Sequence, residues 1–248
     1  MSPEVIVVIV AAILIGTVAK AIGGIGLPLI AVPVMATFVG VQHAVVVIMF
    51  PTVATNVWLI WVHRAHARRL PFLWLFILAA MAGTAIGTWT LTRFDDRALS
   101  LFLAVWICAY LVYVWLRPSF QITPSANRYL APVVGTFCGV LQGSTGSCGP
   151  LLGTYFHAFR LDPFVYLFAV TIVFMMMGLT QIVAMTELGL FTAERVYGGL
   201  LAVIPALAVM PFAVKMSRSI SRETFDLVIK GLLIATAVKL ALHGLYGW

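Results

Sequence analysis

The sequence predicts an all-α polytopic membrane protein made of two inverted repeats, each a Gly/Pro-broken helical hairpin followed by three transmembrane helices. Three observations predict it. The chain has 248 residues, 62% of them hydrophobic and 9% charged, with a mean hydropathy of +1.09; a soluble domain of this size needs far more surface charge. Runs free of Asp, Glu, Lys and Arg cover 21–63, 70–92, 98–116, 129–159, 163–186 and 196–214. Each is long enough to cross a hydrocarbon core of roughly 30 Å as helix. Finally, the second half repeats the first weakly, with the loop charges reversed.

The first element, MSPEVIVVIV, has no basic region and no small-residue cleavage site, and reads as the start of a retained helix. It leads into AIGGIGLP (21–28), a glycine-rich break, and then a second apolar piece. The matching stretch 129–159 carries GSTGSCGP (143–150) near its centre. At 31 residues, about 46 Å of helix, that run is too long for one crossing and too short for two. Each break therefore predicts a helix, a non-helical turn and a shorter return helix; a full two-helix crossing around a Gly-rich loop is the alternative and gives the same parity. Setting 23–40 against 145–162 places Pro28 over Pro150 at an offset of 122 residues, and 93–107 lies near 218–232 at an offset of about 126 residues. The repeats span about 3–117 and 127–246 of a single membrane domain, a duplication common in secondary transporters.

Loop charge sets the orientation. HRAHARR (63–69) carries Arg64, Arg68 and Arg69 between Trp61 and Trp74, whereas its counterpart TELGLFTAER (186–195) carries Glu187 and Glu194 against Arg195. TRFDDRA (92–98) is balanced, and KMSRSISRE (215–223) is strongly basic. The positive-inside rule places 63–69 and 215–223 in the cytoplasm of a cell, across its inner membrane, with the acidic loop and both termini outside. The net charge of +7 is thus topogenic, and no nucleic-acid partner is expected. Cys108, Cys138 and Cys148 all fall in apolar segments, and their odd number argues against a disulfide framework. The H-x-x-H of His63 and His66 sits among arginines whose charge disfavours a metal, so neither metal nor cofactor is expected.

The breaks are the candidate binding site. Exposed backbone at membrane depth is tolerated only against protein or a water-filled cavity. Pro28 and Pro150 suit the first turn of a following helix, where a missing N–H is harmless. The free N–H groups of Gly26, Leu27, Cys148 and Gly149 then lie at helix N-termini, which favour anions. Ser144, Thr145 and Ser147 add hydroxyl donors; Lys20 adds a full charge, with Gln142 at its aligned position. Asn56, with Thr52 one turn earlier, and Gln181 and Thr171 in the matching helix are further polar candidates for the pocket lining. Gly83/Gly87 and Gly135/Gly139/Gly143 read most simply as packing seams. In the last helix Asp226 and Lys230 have i, i+4 spacing and can pair with each other; Lys230 and Lys239 are weaker candidates for a coupling role. Lys20 has a second reading, snorkelling from a full first helix to the interface.

On GGIGLPLIAVPVM (23–35), its looser repeat STGSCGPLLGTYF (144–156) and the basic loop RAHARRL (64–70), the chain resembles the sulfite exporter TauE/SafE family over nearly its whole length. The resemblance implies an inner-membrane transporter of sulfite, sulfonates or related organic anions. It directs attention to Gly23, Gly24, Gly26 and Pro28 in one break, and to Gly143, Ser144, Thr145, Gly146, Ser147, Gly149 and Pro150 in the other. A proton or Na⁺ gradient is the expected energy source, since the sequence has no phosphate-binding loop. No enzymatic activity is expected, and a homo-oligomer in the bilayer is compatible with this reading. Two competing readings are a sulfur-handling protein using Cys148 as a reactive thiol, and a membrane subunit without a transport site.

Overall fold

The computed structural model describes residues 3–23, 26–65, 73–116, 124–216 and 222–246, with the side chains of a few of these residues left undescribed. The described residues form ten helices and no strand: α1 (Pro3–Gly23), α2 (Gly26–Val39), α3 (Val41–His63), α4 (Leu73–Arg93), α5 (Asp96–Leu116), α6 (Pro124–Thr145), α7 (Gly149–His157), α8 (Pro163–Glu187), α9 (Ala193–Met216) and α10 (Arg222–Tyr246). Five of them, α3, α4, α5, α8 and α9, are long and apolar enough to cross a membrane. Large apolar side chains such as Trp115, Trp74, Val105 and Ile204 point outward, as lipid-facing positions do. The polytopic all-α reading therefore stands. Trp61 and Trp74 are both exposed, and the Arg64 guanidinium lies 5.2 Å from the centre of the Trp61 ring. Gly24, His66, Arg68 and Arg69, and the loop 217–221, lie outside the described residues, as do the side chains of Gly23 and Asp226.

Both breaks exist. Helix α1 ends at Gly23 and α2 starts at Gly26; α6 ends at Thr145 and α7 starts at Gly149. Pro28 is in the first turn of α2 and Pro150 in that of α7, where proline's fixed φ suits helix and its missing N–H is not needed. Gly146 turns the chain with φ +66°, a left-handed conformation that glycine adopts without penalty. Its N–H donates to the Gln142 carbonyl at 2.8 Å, and Trp106 Nε1 donates to the Ser147 carbonyl at 2.7 Å, tying the turn to α5.

The two hairpins pack differently. In the first, α1 and α2 run antiparallel: a Cβ on Gly16 would come 2.8 Å from the Leu27 carbonyl, and one on Gly26 would overlap Ala19 and the Lys20 backbone. In the second, α6 packs along α4 in parallel. Gly83 faces the Thr136 carbonyl, Gly87 that of Val140, Gly139 that of Ala80 and Gly143 that of Thr84. The small-residue seam expected from the sequence is this contact; backbones approach closely because nothing projects between them.

One end of the bundle is held by polar contacts. The Val41 N–H, unsatisfied at the start of α3, donates to Asp96 Oδ1 at 2.6 Å, and Asp96 Oδ2 lies 3.3 Å from His243 Nε2. Gln42 Nε2 donates to the Leu91 carbonyl at 2.7 Å, and Arg195 Nη2 donates to Gln42 Oε1 at 2.6 Å. Lys239 Nζ sits 4.0 Å from the centre of the Phe38 ring at the same end. The α2–α3, α4–α5 and α8–α9 turns and the end of α10 thus gather together, while His63 meets the Phe164 ring at the opposite end. Asp96→Ala removes the charged acceptor that caps α3. It should lower stability by about 1–3 kcal/mol, read as a fall in the unfolding midpoint of the detergent-solubilised protein; an unchanged midpoint would contradict this role.

Candidate functional site

Lys20 is fully sequestered, at 1% exposure, in the last turn of α1 before the first break. Its Nζ donates to the Thr52 carbonyl at 3.1 Å and to Thr55 Oγ1 at 2.8 Å, both on α3. It does not snorkel. Thr55 in turn donates to the Pro51 carbonyl at 2.7 Å, so its hydroxyl presents a lone pair to the lysine. Pro51 removes one backbone donor from α3 just before this turn, which loosens the ladder where the lysine docks. Asn56, one turn beyond Thr52, is buried with it.

The second half builds a similar cross-contact from amides. Gln142 on α6 donates to Gln181 Oε1 on α8 at 3.4 Å, and Gln181 Nε2 donates back to the carbonyls of Gln142 and Gly143 at 3.3 and 3.2 Å. One turn before Gln181, Gly178 rests against Met49 and Val53 of α3, so α8 and α3 share a seam between the two polar groups. Ser144 and Thr145 bond back to their own helix, donating to the Val140 and Leu141 carbonyls at 2.7 Å. Of the three hydroxyls in the break, only Ser147 keeps its own unspent. Thr171 likewise donates within its helix, to the Leu167 carbonyl at 2.6 Å.

Unused hydrogen-bonding capacity marks the same places. Among the described residues, buried side-chain atoms without a partner occur on Thr52, both amide atoms of Asn56, Ser100, Gln142 and Ser147. All except Ser100 belong to the polar groups around the breaks. Buried unpaired polar atoms are costly, at about 1–3 kcal/mol each, and each calls for an explanation such as a bound ligand, ion or water.

The breaks do not meet tip to tip. Gly146 lies against Val45 of α3 and Val32 of α2, whereas Lys20 bonds α3 at Thr52 and Thr55. Those positions are seven to ten residues apart on one helix, about 10–15 Å. The reason is length: α1 has 21 residues and α6 has 22, over 30 Å each and more than half of any bilayer core. Each hairpin reaches past the middle, and the two overlap side by side. Gly26 and Gly143 meet neighbouring backbone there, and Leu27 is buried against Gly16, so these three are set by close packing.

Residues 8–240 match the sulfite exporter TauE/SafE family. The chain belongs to that family. Its members are membrane transporters of sulfur anions, and membership over nearly the whole chain carries that class to this protein. Comparison with curated proteins and with solved structures returned no match.

Sequence reasoning missed two neighbours in this TauE/SafE chain. Thr55, the closest partner of Lys20, was readable in PTVATN (51–56), a polar cluster in an apolar helix. Cys138 and Cys148, the N-cap of α7, are both buried in the α4–α6–α7–α8 core. No local pattern links residues ten apart across a chain reversal. The phenol of Tyr155 on α7 donates to Asn127 Oδ1 on α6, closing the second hairpin near its base.

Proposed function

We propose that this TauE/SafE protein is a secondary transporter of sulfite or small organosulfonates. The two halves would alternate access to one anion site, held between the Lys20–Thr52–Asn56 group and the Gln142–Ser147–Gln181 group. The observation that carries this reading is the set of unpartnered buried polar atoms on Thr52 and Asn56 of α3, the helix on which the buried Lys20 docks, and on Gln142 and Ser147 at the second break. A tetrahedral or pyramidal oxyanion offers several acceptors to one cation, an amide and a hydroxyl, a set that neutral lipid cannot replace.

The inverted arrangement is part of the proposal. Lys20 of α1 bonds across to α3, and Gln142, 122 residues later on α6, bonds across to α8. Hairpin one descends from the end bearing Asp96 and His243, and hairpin two belongs to the end bearing His63 and Phe164. That is the geometry expected of repeats related by an axis in the membrane plane. The basic loops 63–69 and 215–223 would face the cytoplasm, with the inner membrane as the location and an ion gradient as the driving force.

Radiolabelled sulfite and methanesulfonate uptake into proteoliposomes tests the reading. Ser147→Ala and Asn56→Leu should each reduce uptake at least about tenfold, the worth of one or two good hydrogen bonds, while leaving the size-exclusion profile intact. Full uptake by both variants would remove the proposed site.

A further inference from the structure

Lys20 has an environment suited to a neutral amine when the anion is gone. Its nitrogen meets two acceptors, the Thr52 carbonyl and the Thr55 hydroxyl. An uncharged amine has two N–H groups, so both are satisfied; an ammonium has three. Neither acceptor is charged, and among the described residues no carboxylate forms an ion pair with Lys20. A buried ammonium held only by neutral oxygens is unfavourable, and an adjacent anion reverses that balance by supplying both the charge and the third acceptor.

From this we infer that Lys20 carries the coupling ion: it takes up one proton as the anion binds and gives it up as the anion leaves, so that anion and proton cross together. This rests on the anion site proposed above. The balance is simple. The R–NH₂ form plus H⁺ gives R–NH₃⁺ beside the anion, and the reverse occurs on the other side of the membrane. For a monovalent sulfonate the loaded site carries the same net charge as the empty one. Binding and protonation are then reciprocal, each strengthening the other by the same factor.

The neighbouring helices leave Lys20 as the group placed to do this. Helix α2 carries no titratable side chain. On α3, His43 and His63 lie nine residues before Thr52 and eight beyond Thr55, about 12 Å or more along the helix. On α9, Ala21, next to Lys20, packs with Met210 and Ala213, while Glu194, Arg195 and Tyr197 lie toward the far end and Lys215 is exposed. Helix α1 itself adds only Glu4, at its start. Helix α10, packed on α2, carries Arg222, Glu223, Asp226, Lys230, Lys239, His243 and Tyr246; Lys239 and His243 lie at the end bearing Asp96 and Phe38.

The test is proton uptake by purified full-length protein in weakly buffered detergent solution, followed with a pH dye as methanesulfonate is added, a probe that does not itself titrate near neutrality. Wild type should take up about one proton per bound anion, and its affinity should weaken about tenfold per pH unit on the alkaline side. Lys20→Arg, permanently charged, should bind without proton uptake and without that pH slope. Lys20→Met should bind more weakly and take up none, and Asp226→Asn should behave as wild type. If the lysine variants do not fold, the wild-type proton count and slope decide alone. Binding with no uptake and no slope would overturn the coupling role and leave the anion site standing. Uptake that persists in Lys20→Arg or disappears in Asp226→Asn would place the proton elsewhere and also overturn it. If neither methanesulfonate nor sulfite binds, the anion site and the inference fail together.

Discussion

Lys20→Met should abolish net anion uptake in proteoliposomes, to less than about one-hundredth of wild type, while the protein still inserts and remains monodisperse. Two effects combine. The variant loses Lys20, the one buried Lys or Arg side chain among the described residues, which docks on the helix bearing the unpartnered amide of Asn56 and hydroxyl of Thr52, and a charge-assisted hydrogen bond from its protonated form to an anion contributes about 1.5–3 kcal/mol. It also loses the group through which a proton gradient would act. Methionine matches the lysine stem in length and fills the space against α3, so folding should be largely spared. Stability that falls while uptake per folded molecule is unchanged would show Lys20 to be a structural residue only.

Gly139→Val should have the largest effect on stability of any single change considered. A Cβ at Gly139 would overlap the Ala80 carbonyl and press on the Thr84 N–H, both backbone atoms of α4 that cannot rotate away. Helices α4 and α6 would have to separate along their whole parallel contact, and Gly83, Gly87, Gly135 and Gly143 would lose their fit with it. Overpacking of this kind costs at least about 3 kcal/mol. The expected result is loss of monodisperse protein from detergent extracts. The control is Gly189→Ala, at a position with no atom within 4 Å of the added Cβ but with φ +67°; it should cost only about 1 kcal/mol of backbone strain. A well-behaved Gly139→Val protein would contradict the packing described for the seam.

How much was legible beforehand follows from which signals are local. Charge-free runs and Gly/Pro punctuation are properties of contiguous sequence, and they located the helices, the two breaks at 23–26 and 145–149, and the small-residue seam of α4 and α6. The match over residues 8–240 agrees with the family read from the glycine-rich motifs and the basic loop. What escaped were contacts set by how far each hairpin reaches. Counting residues in α1 and α6 shows that two arms of about 30 Å overlap, whereas the sequence reading assigned both breaks to one binding site without fixing how far each arm reaches. The hydroxyls behaved similarly. Ser144 and Thr145 looked like free donors in a polar run, yet a threonine or serine inside a helix readily bonds the carbonyl four residues back, and both do. Ser147, beyond the helix end, has no such carbonyl in reach and keeps its hydroxyl.

The burial of Cys138 and Cys148 in one core belongs with these long-range facts, since the chain reverses between them at Gly146.

The most direct measurement is the anomalous difference density of crystals grown with selenite, the heavier isostere of sulfite. A selenium peak within hydrogen-bonding range of Lys20 Nζ and of Asn56 or Ser147 is the predicted result. A peak elsewhere, or crystals whose only selenium lies on the protein surface, would contradict a shared anion site between the two hairpins.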